Sequence, residues 1–595
     1  MTDFIHPALI MIIGAFALPF FRGAARKPYL VLVPALAFLG VVKMQLGGVE
    51  GTFGVYSFMD WTLTFGRVDR LSQVFGHIMT LMCIIGTIYG MHEKEDSQFI
   101  AAWLYVAGSL GVIYCGDYLV LFLFWELMAF SSVFLVWFRR RKQSLATGYR
   151  YLLVHTAGGL ALLAGMVLRY QATGGDLSFG QLDVKTPELY TYLIMIGFIL
   201  NAAVPPFHAW LPDAYGEATV GGAVFMCAFT TKTAVYALAR GCAGFEILVP
   251  LGVFMALYGV VYAVLENDSR RLLAYHIISQ VGYMVTGVGI GTEMAINGTC
   301  AHAFAHILYK GLLFMGCGSV LYMTGKSKFS DLGGLYKKMP MAFIYTLIGG
   351  LSISAFPLFS GFVSKSMIVA AGFKDHMLWP AFLLTLASAG TFLHTGLKVP
   401  YFIWFGKNNC SKETWEKAAD PPWNMQVAMI IASFMCIFIG CYTPYLYNML
   451  PYAVDYHPYN QYHLSEALQI LLFTALGFFL LIKKLAPEPT ISIDMDWFYR
   501  MGGRGFFWLT SKPIQSVDGW VSEIYRYLGL IPLMVTARFW SWFDWHAIDG
   551  VVDGTARSVR SLGGTLRRVQ SGQLQHNIFY AVSIIAVLLI AFVLA

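Results

Sequence analysis

The chain has 595 residues, of which 57% are hydrophobic and 12% charged, with a formal net charge of +7 at pH 7. Soluble domains carry about 25% charged residues, so this composition excludes a soluble globular protein and points to a chain that crosses a membrane many times. The nine cysteines make no CxxC pair and read as small buried hydrophobes. That argues against iron–sulfur ligation, and no haem or flavin signature appears either, so no cofactor and no redox active site are expected here. Nothing points to a nucleic-acid partner.

A membrane span needs about 20 apolar residues. Runs of that kind predict sixteen spans, near 4–21, 28–46, 68–91, 98–115, 117–138, 148–170, 190–211, 219–240, 248–266, 272–290, 298–323, 341–370, 378–405, 425–443, 465–485 and 577–595. The first run has basic residues after it rather than before it, so no cleavable signal peptide is expected. With the N-terminus outside, alternate loops carry the basic clusters. These include Arg22, Arg26 and Lys27, then Arg139 to Lys142, Arg270 and Arg271, Lys337 and Lys338, and Lys483 and Lys484. The opposite loops are poor in Lys and Arg. That bias fits the positive-inside rule and puts both termini on the outer side of a prokaryotic inner membrane.

Residues Gly197 to Arg240 set two adjacent prolines, a histidine and a lysine in apolar sequence. Pro205 and Pro206 lack a backbone N–H, and their rings oppose the helical turn before them. The seventh span is therefore predicted to break partway across. Freed carbonyls at that depth persist only where protein or water satisfies them. The decapeptide from Val204 to Asp213 aligns without gaps on Phe356 to Lys365, 152 residues later. A second break is predicted at Pro357, in the twelfth span. Spans four to eight and nine to thirteen then form two five-helix units. An odd number of crossings inverts the second unit relative to the first. Broken helices in inverted repeats are a transporter pattern, with binding near the midplane.

The ionisable residues inside spans are functional candidates by default. Glu126 lies in LFLFWELMAF, and the alternative for it is a structural carboxylate. Lys232 follows the first break by one span. His302, His306 and Lys310 fall at i, i+4 and i+8, one helix face climbing about 12 Å, which suits a proton relay because imidazole titrates near neutrality. A metal site from the two histidines lacks a nearby third ligand, and no metal is expected. Lys365 follows the second break directly. His394 stands one turn before Lys398, and Lys398 follows the second break as Lys232 follows the first. Snorkelling to an interface is the alternative for each lysine. His208 and His155 are weaker candidates. The expected picture is a row of acid and base groups along the midplane, each shifting its neighbour's protonation through charge.

At these residues the chain resembles the antiporter-like subunits shared by respiratory complex I, Mrp-type sodium/proton antiporters and membrane-bound hydrogenases. The likeness covers about residues 60–410. It rests on FWEL at Glu126, PPFHAWLPDA at 205–214, TTKTAVYALAR at 230–240, NDSRRLLAYHIISQVGY at 267–283, HAFAHILYKGLLF at 302–314 and FPLFSGFVSK at 356–365. The resemblance implies a proton path through Glu126, Lys232, His302, His306, Lys310 and Lys365. It departs at Asn201, where family members usually carry a lysine in the broken seventh span. The core looks most like the D-type Mrp subunit. The tail, with IDGVVDG and RRVQSGQLQH, resembles the end of the L-type complex I subunit, which implies a lateral cytoplasmic helix before a last anchor span. Trp540, Trp542 and Trp545 suit an interface, and Gly519, Gly529, Pro532 and Gly550 predict interruptions in that helix.

The expected architecture is an all-α polytopic membrane protein. Residues 1–97 hold helices one to three, 98–247 and 248–405 the two half-channel units, and 406–485 helices fourteen and fifteen. A lateral amphipathic arm spans 486–574 and an anchor 575–595. The expected function is ion translocation, with protons as the ion and sodium as the alternative, by one component of a multisubunit membrane assembly in contact with lipid. The competing reading is a scaffold with a degenerate channel whose arm holds its neighbours.

Overall fold

The computed structural model describes residues 4–59, 61–488 and 493–595. It divides into two units, 1–496 and 497–595. Among the described residues, thirteen helices are long and apolar enough to cross a membrane, and three shorter apolar helices, Pro7–Phe20, Leu189–Asn201 and Pro340–Ile353, stand at three more of the expected spans. Two of those three are short because they are halves of the broken helices.

The first unit opens with α1 (Pro7–Ala17) and α2 (Arg26–Leu46), then a hairpin of β1 (Gly51–Phe58) and β2 (Trp61–Val68). The hairpin is an addition to the all-helical expectation. Its alternating sequence, TFGVYSF and WTLTFGRV, carries the two-residue period of a strand. After α3 (Arg70–Gly90) come α4 (Asp96–Tyr114), α5 (Tyr118–Trp137), α6 (Lys142–Ala172), α7 (Leu189–Asn201), α8 (Trp210–Glu217), α9 (Val220–Ala228) and α10 (Thr230–Gly241). The next set is α11 (Leu248–Leu265), α12 (Ser269–Ile290), α13 (Glu293–Thr324), α14 (Pro340–Ile353), α15 (Ser360–Lys374) and α16 (Leu378–Thr391), the last continuing through π-helical turns to Phe405. Then follow α17 (Lys412–Lys417), α18 (Trp423–Cys441), α19 (Pro444–Tyr447) and α20 (Gln461–Leu481).

The internal repeat extends far beyond ten residues. Helices α4, α5, α6 and α7 start at residues 96, 118, 142 and 189, and α11 to α14 start at 248, 269, 293 and 340. Each offset is 151 or 152. Helix α13 lies at the centre of the unit. It is buried along almost all its length and packs on α3, α9, α12, α14, α15 and α18. Its polar face therefore points into protein and not into lipid.

The second unit holds α21 (Asp496–Leu509), α22 (Gln515–Tyr525), α23 (Ile531–Phe543), α24 (Asp549–Val569) and α25 (Leu574–Leu594). The expected interruptions do not occur. Helices α21 to α24 run on through π-helical turns at Thr510–Ile514, Arg526–Leu530 and Asp544–Ile548. Wider turns let the helix run on past Gly529 and Pro532. On α24, Val552, Val559, Leu562, Leu566 and Val569 form an exposed apolar stripe, with Arg557, Arg560, Arg567 and Arg568 beside it.

Candidate functional site

Both breaks are built the same way. Helix α7 ends with Ala203 in the left-handed region at φ 60°, and α14 ends with Ala355 at φ 58°. Ala203 N donates to Leu200 O and Val204 N to Ile199 O, both at 3.1 Å. Ala355 N to Ser352 O and Phe356 N to Leu351 O repeat these bonds at 3.1 Å, 152 residues on. This is a Schellman end, which turns the last N–H groups back onto freed carbonyls. The prolines at 205, 206 and 357 then prevent the helix from resuming at once. Trp210 Nε1 also donates to Leu200 O, at 3.2 Å.

Lys232 owes its place to a kink. Phe229, at φ −100° and ψ −68°, separates α9 from α10. The kink frees the Cys227 carbonyl, and Lys232 Nζ donates to it at 2.6 Å and to Thr231 Oγ1 at 3.1 Å. The freed N–H of Thr230 goes to Tyr105 Oη at 2.8 Å. Lys232 is fully buried.

From Lys232 the titratable groups form a chain. His306 lies within electrostatic reach of Lys232, Lys310 and His302. His302 stands 6.1 Å from His306 between ring centroids, and its Nδ1 is 3.4 Å from Ser364 Oγ. His302 is also within electrostatic reach of Lys365, whose Nζ donates to Ser388 Oγ at 2.8 Å and lies 4.8 Å from the Tyr283 ring centroid. His276 is within electrostatic reach of Lys310 and Lys365, and its ring is 6.0 Å from that of His394. His394 Nε2 donates to Val260 O at 2.9 Å. All of these side chains are buried. Lys310 Nζ and both ring nitrogens of His306 and of His276 meet no hydrogen-bond partner among the described residues. Buried polar groups of this kind are ordinarily satisfied, so these atoms are left to water or to a transferred proton.

Two candidates stand apart from the expected midplane row. Lys398 Nζ donates to Val264 O at 2.6 Å and Glu266 O at 3.0 Å. These carbonyls close the C-terminus of α11, where a cation meets the negative end of a helix. Lys398 is thus level with a helix end, not with the span centre. Glu126 is only half-buried, on a face of α5 that also shows the exposed Leu123 and Phe130. Its Oε1 packs against Gly159 of α6, so close that a Cβ there would collide with it. It makes no ion pair among the described residues. The fully buried shared core thus takes in Lys232 and Lys310 but not Glu126.

Near Glu126 stands an amide–imidazole pair. Asn201 Oδ1 meets His155 Nδ1 at 2.8 Å. The His155 ring sits 4.2 Å from Tyr151 and 4.5 Å from Trp210. His155 and Gly159 are one turn apart on α6, so this pair adjoins Glu126.

His208 lies in the seventh-span break, and its partner comes from 286 residues away. Its Nε2 is 3.1 Å from Asp494 Oδ1 and 3.2 Å from Oδ2. Tyr258 Oη donates to Oδ1 and Tyr275 Oη to Oδ2, the latter at 2.6 Å. Burial alone would raise the Asp494 carboxyl, but His208, Tyr258 and Tyr275 together outweigh it and hold it well below the usual carboxylate range. Sequence reading misses Asp494 because nothing around ISIDMDWFYR marks a buried carboxylate. It also passes over His276, a lone histidine with no partner at helical spacing. Among the described residues no three His, Cys, Asp or Glu side chains gather as metal ligands.

The chain is similar to known proteins. The NADH:quinone oxidoreductase/Mrp antiporter transmembrane family matches residues 115–391. NADH-quinone oxidoreductase subunit N of Desulforudis audaxviator (strain MP104C) is 31% identical over 405 residues, 61% of this chain and 79% of that one. The A-type Na(+)/H(+) antiporter protein of Alkalihalophilus pseudofirmus is 27% identical over 529 residues, 80% of this chain, and the match spans 63% of that protein's length. A chain of the membrane-bound sulfane sulfur reductase, an archaeal respiratory membrane complex, has the same fold at TM-score 0.69 and 24% identity, covering 99% of this chain and 100% of that one. With sixteen apolar helices among its described residues, two broken at equivalent points, this polytopic membrane chain belongs to the NADH:quinone oxidoreductase/Mrp antiporter transmembrane family.

Proposed function

We propose that the chain translocates protons across the membrane as one antiporter-like subunit of a larger assembly. The buried run from Lys232 through His306, Lys310 and His276 to His394 carries this reading, with His302 and Lys365 as a branch. Each member is within electrostatic reach of the next, so moving one proton changes the neighbour's affinity for its own. Imidazole and amine groups suit that task. The names of relatives, a sodium/proton antiporter subunit and a quinone oxidoreductase subunit, support ion movement in a multisubunit setting. Redox chemistry, where coupled, would fall to partner chains.

Residues 98–247 and 248–405 are the two half-channel units in this reading, 1–97 and 406–485 flank them, 486–574 is the arm and 575–595 the anchor. The membrane is the inner membrane of a prokaryote, with both termini outside. The Asn201–His155 pair favours a second reading for the first half alone. With no cation beside Glu126 among the described residues, Glu126 stands outside the row that begins at Lys232, and its role is structural unless an adjoining subunit supplies the charge. Sodium is the alternative ion, and a sodium-driven proton flux would reveal it.

The test uses the purified assembly in proteoliposomes with a pH-sensitive dye and an imposed membrane potential. Lys310→Arg keeps a cation but not one that can deprotonate, and it is expected to stop proton flux with assembly intact. Wild-type flux in that variant would overturn the reading.

A further inference from the structure

The cluster around His208 does something that the buried lysine row does not. We propose that Asp494 is a positioning residue for proton transfer at the seventh-span break: it holds His208 with Nε2 as the bound nitrogen and leaves Nδ1 as the nitrogen that exchanges. This rests on the proton-translocation reading above.

Three observations carry it. Both Asp494 oxygens sit on the same imidazole nitrogen, at 3.1 and 3.2 Å. The carboxylate also receives Tyr258 Oη, Tyr275 Oη at 2.6 Å and its neighbour Met495 N at 2.5 Å. Donors surround it, which suits an acceptor-only, ionised carboxylate. Nε2 must then carry a hydrogen to face it. Second, His208 is fully buried and its Nδ1 has no partner among the described residues. An imidazole fixed at one nitrogen by a carboxylate presents the other as the proton acceptor, and the same charge favours the imidazolium that results. Third, the segment is fastened independently of the histidine, because Tyr262 Oη donates to Ile493 O at 2.9 Å. The carboxylate is thus held in place whether or not the imidazole is charged.

The charged and titratable groups around the pair are accounted for. Helix α11 offers Tyr258 and Tyr262, with Glu266 just after its end, and α12 offers Tyr275 and Arg271. Arg271 is taken up by Asp213 at 2.8 Å and Glu266 at 3.1 Å. Arg150 of α6 also reaches Asp213, at 3.2 Å. Asp496 follows on the same segment. Asp494 is the carboxylate in contact with His208. The second break has no such device: the position 152 residues after His208 is Ser360, whose hydroxyl meets Ser352 at 2.9 Å. The pair therefore distinguishes the seventh-span break from the second, whose equivalent position is a serine.

The experiment is a pH–rate profile of proton flux in proteoliposomes holding the whole assembly, with co-purification in mild detergent as the check on integrity. Asp494→Asn keeps a hydrogen-bond acceptor but removes the charge. It is expected to slow flux at least tenfold and to change one limb of the profile, since the carboxylate that orients the imidazole is gone. Asp494→Glu is expected to restore most of the rate. An assembled Asp494→Asn complex with wild-type rate and profile overturns the inference. If that variant does not assemble, His208→Gln with Asp494 intact decides: loss of the same limb supports the inference and a wild-type limb overturns it. Lys310→Ala in parallel separates the two claims. Full flux there sinks the proton-row reading, whereas an inactive Lys310→Ala beside a wild-type Asp494→Asn sinks this one alone.

Discussion

At the residue scale, the informative atoms are buried nitrogens without partners among the described residues. Lys310 Nζ and the rings of His306 and His276 sit in the core of a central helix bundle with no acceptor of their own there. A structural lysine would be expected to look like Lys398, tied to two helix-end carbonyls. His276 is within electrostatic reach of Lys310 and 6.0 Å from His394 between ring centroids, so His276→Ala is expected to cut proton flux about tenfold or more while leaving the fold intact. An unchanged flux would remove it from the path. The sequence makes Lys232, Lys310 and the paired histidines legible, because charge in an apolar run and i, i+4 spacing are local signals. His276 and Asp494 are not legible, since each acquires its meaning from residues brought close only by folding. Glu126 is legible as a buried-span carboxylate, yet its half-buried place on α5 depends on which face the other helices cover.

At the scale of elements, the breaks do more than proline requires. An alanine in the left-handed region costs about 1–2 kcal/mol relative to ordinary helix, and both breaks accept that cost at Ala203 and Ala355. A β-branched side chain fits that region worse still. Ala203→Val and Ala355→Val are therefore expected to lower the thermal midpoint of the purified assembly, and an unchanged midpoint in both would show that the turns are not held. Gly361 is a second sensor of the break. A Cβ there would collide with Ser352 O, a backbone atom that cannot step aside, so Gly361→Ala is expected to destabilise by about 1–3 kcal/mol. The proline pair and the ten-residue repeat are visible in sequence. The Schellman ends and the repeat of helix starts at an offset of 151 or 152 are not, because apolar spans resemble one another whatever their order.

At the scale of the molecule, the second unit displays an apolar stripe along α24 that a lone chain has no evident use for. Removal of everything after Pro487 is expected to leave a chain that co-purifies with fewer of its neighbouring subunits, whereas Lys310→Ala is expected to keep them all. Equal subunit content in both would detach the arm from assembly. The β-hairpin and the unbroken run of α21 to α24 lie outside the sequence reading, the first because eight-residue strands give a weak signal beside long spans, the second because π turns let glycine and proline pass. The central claim is that protons cross through the buried row. Proton flux into proteoliposomes holding the whole assembly, measured with Lys310→Ala against wild type, tests it most directly: the account predicts that flux falls to the level of empty vesicles while the subunits stay together, and flux at the wild-type rate would contradict it.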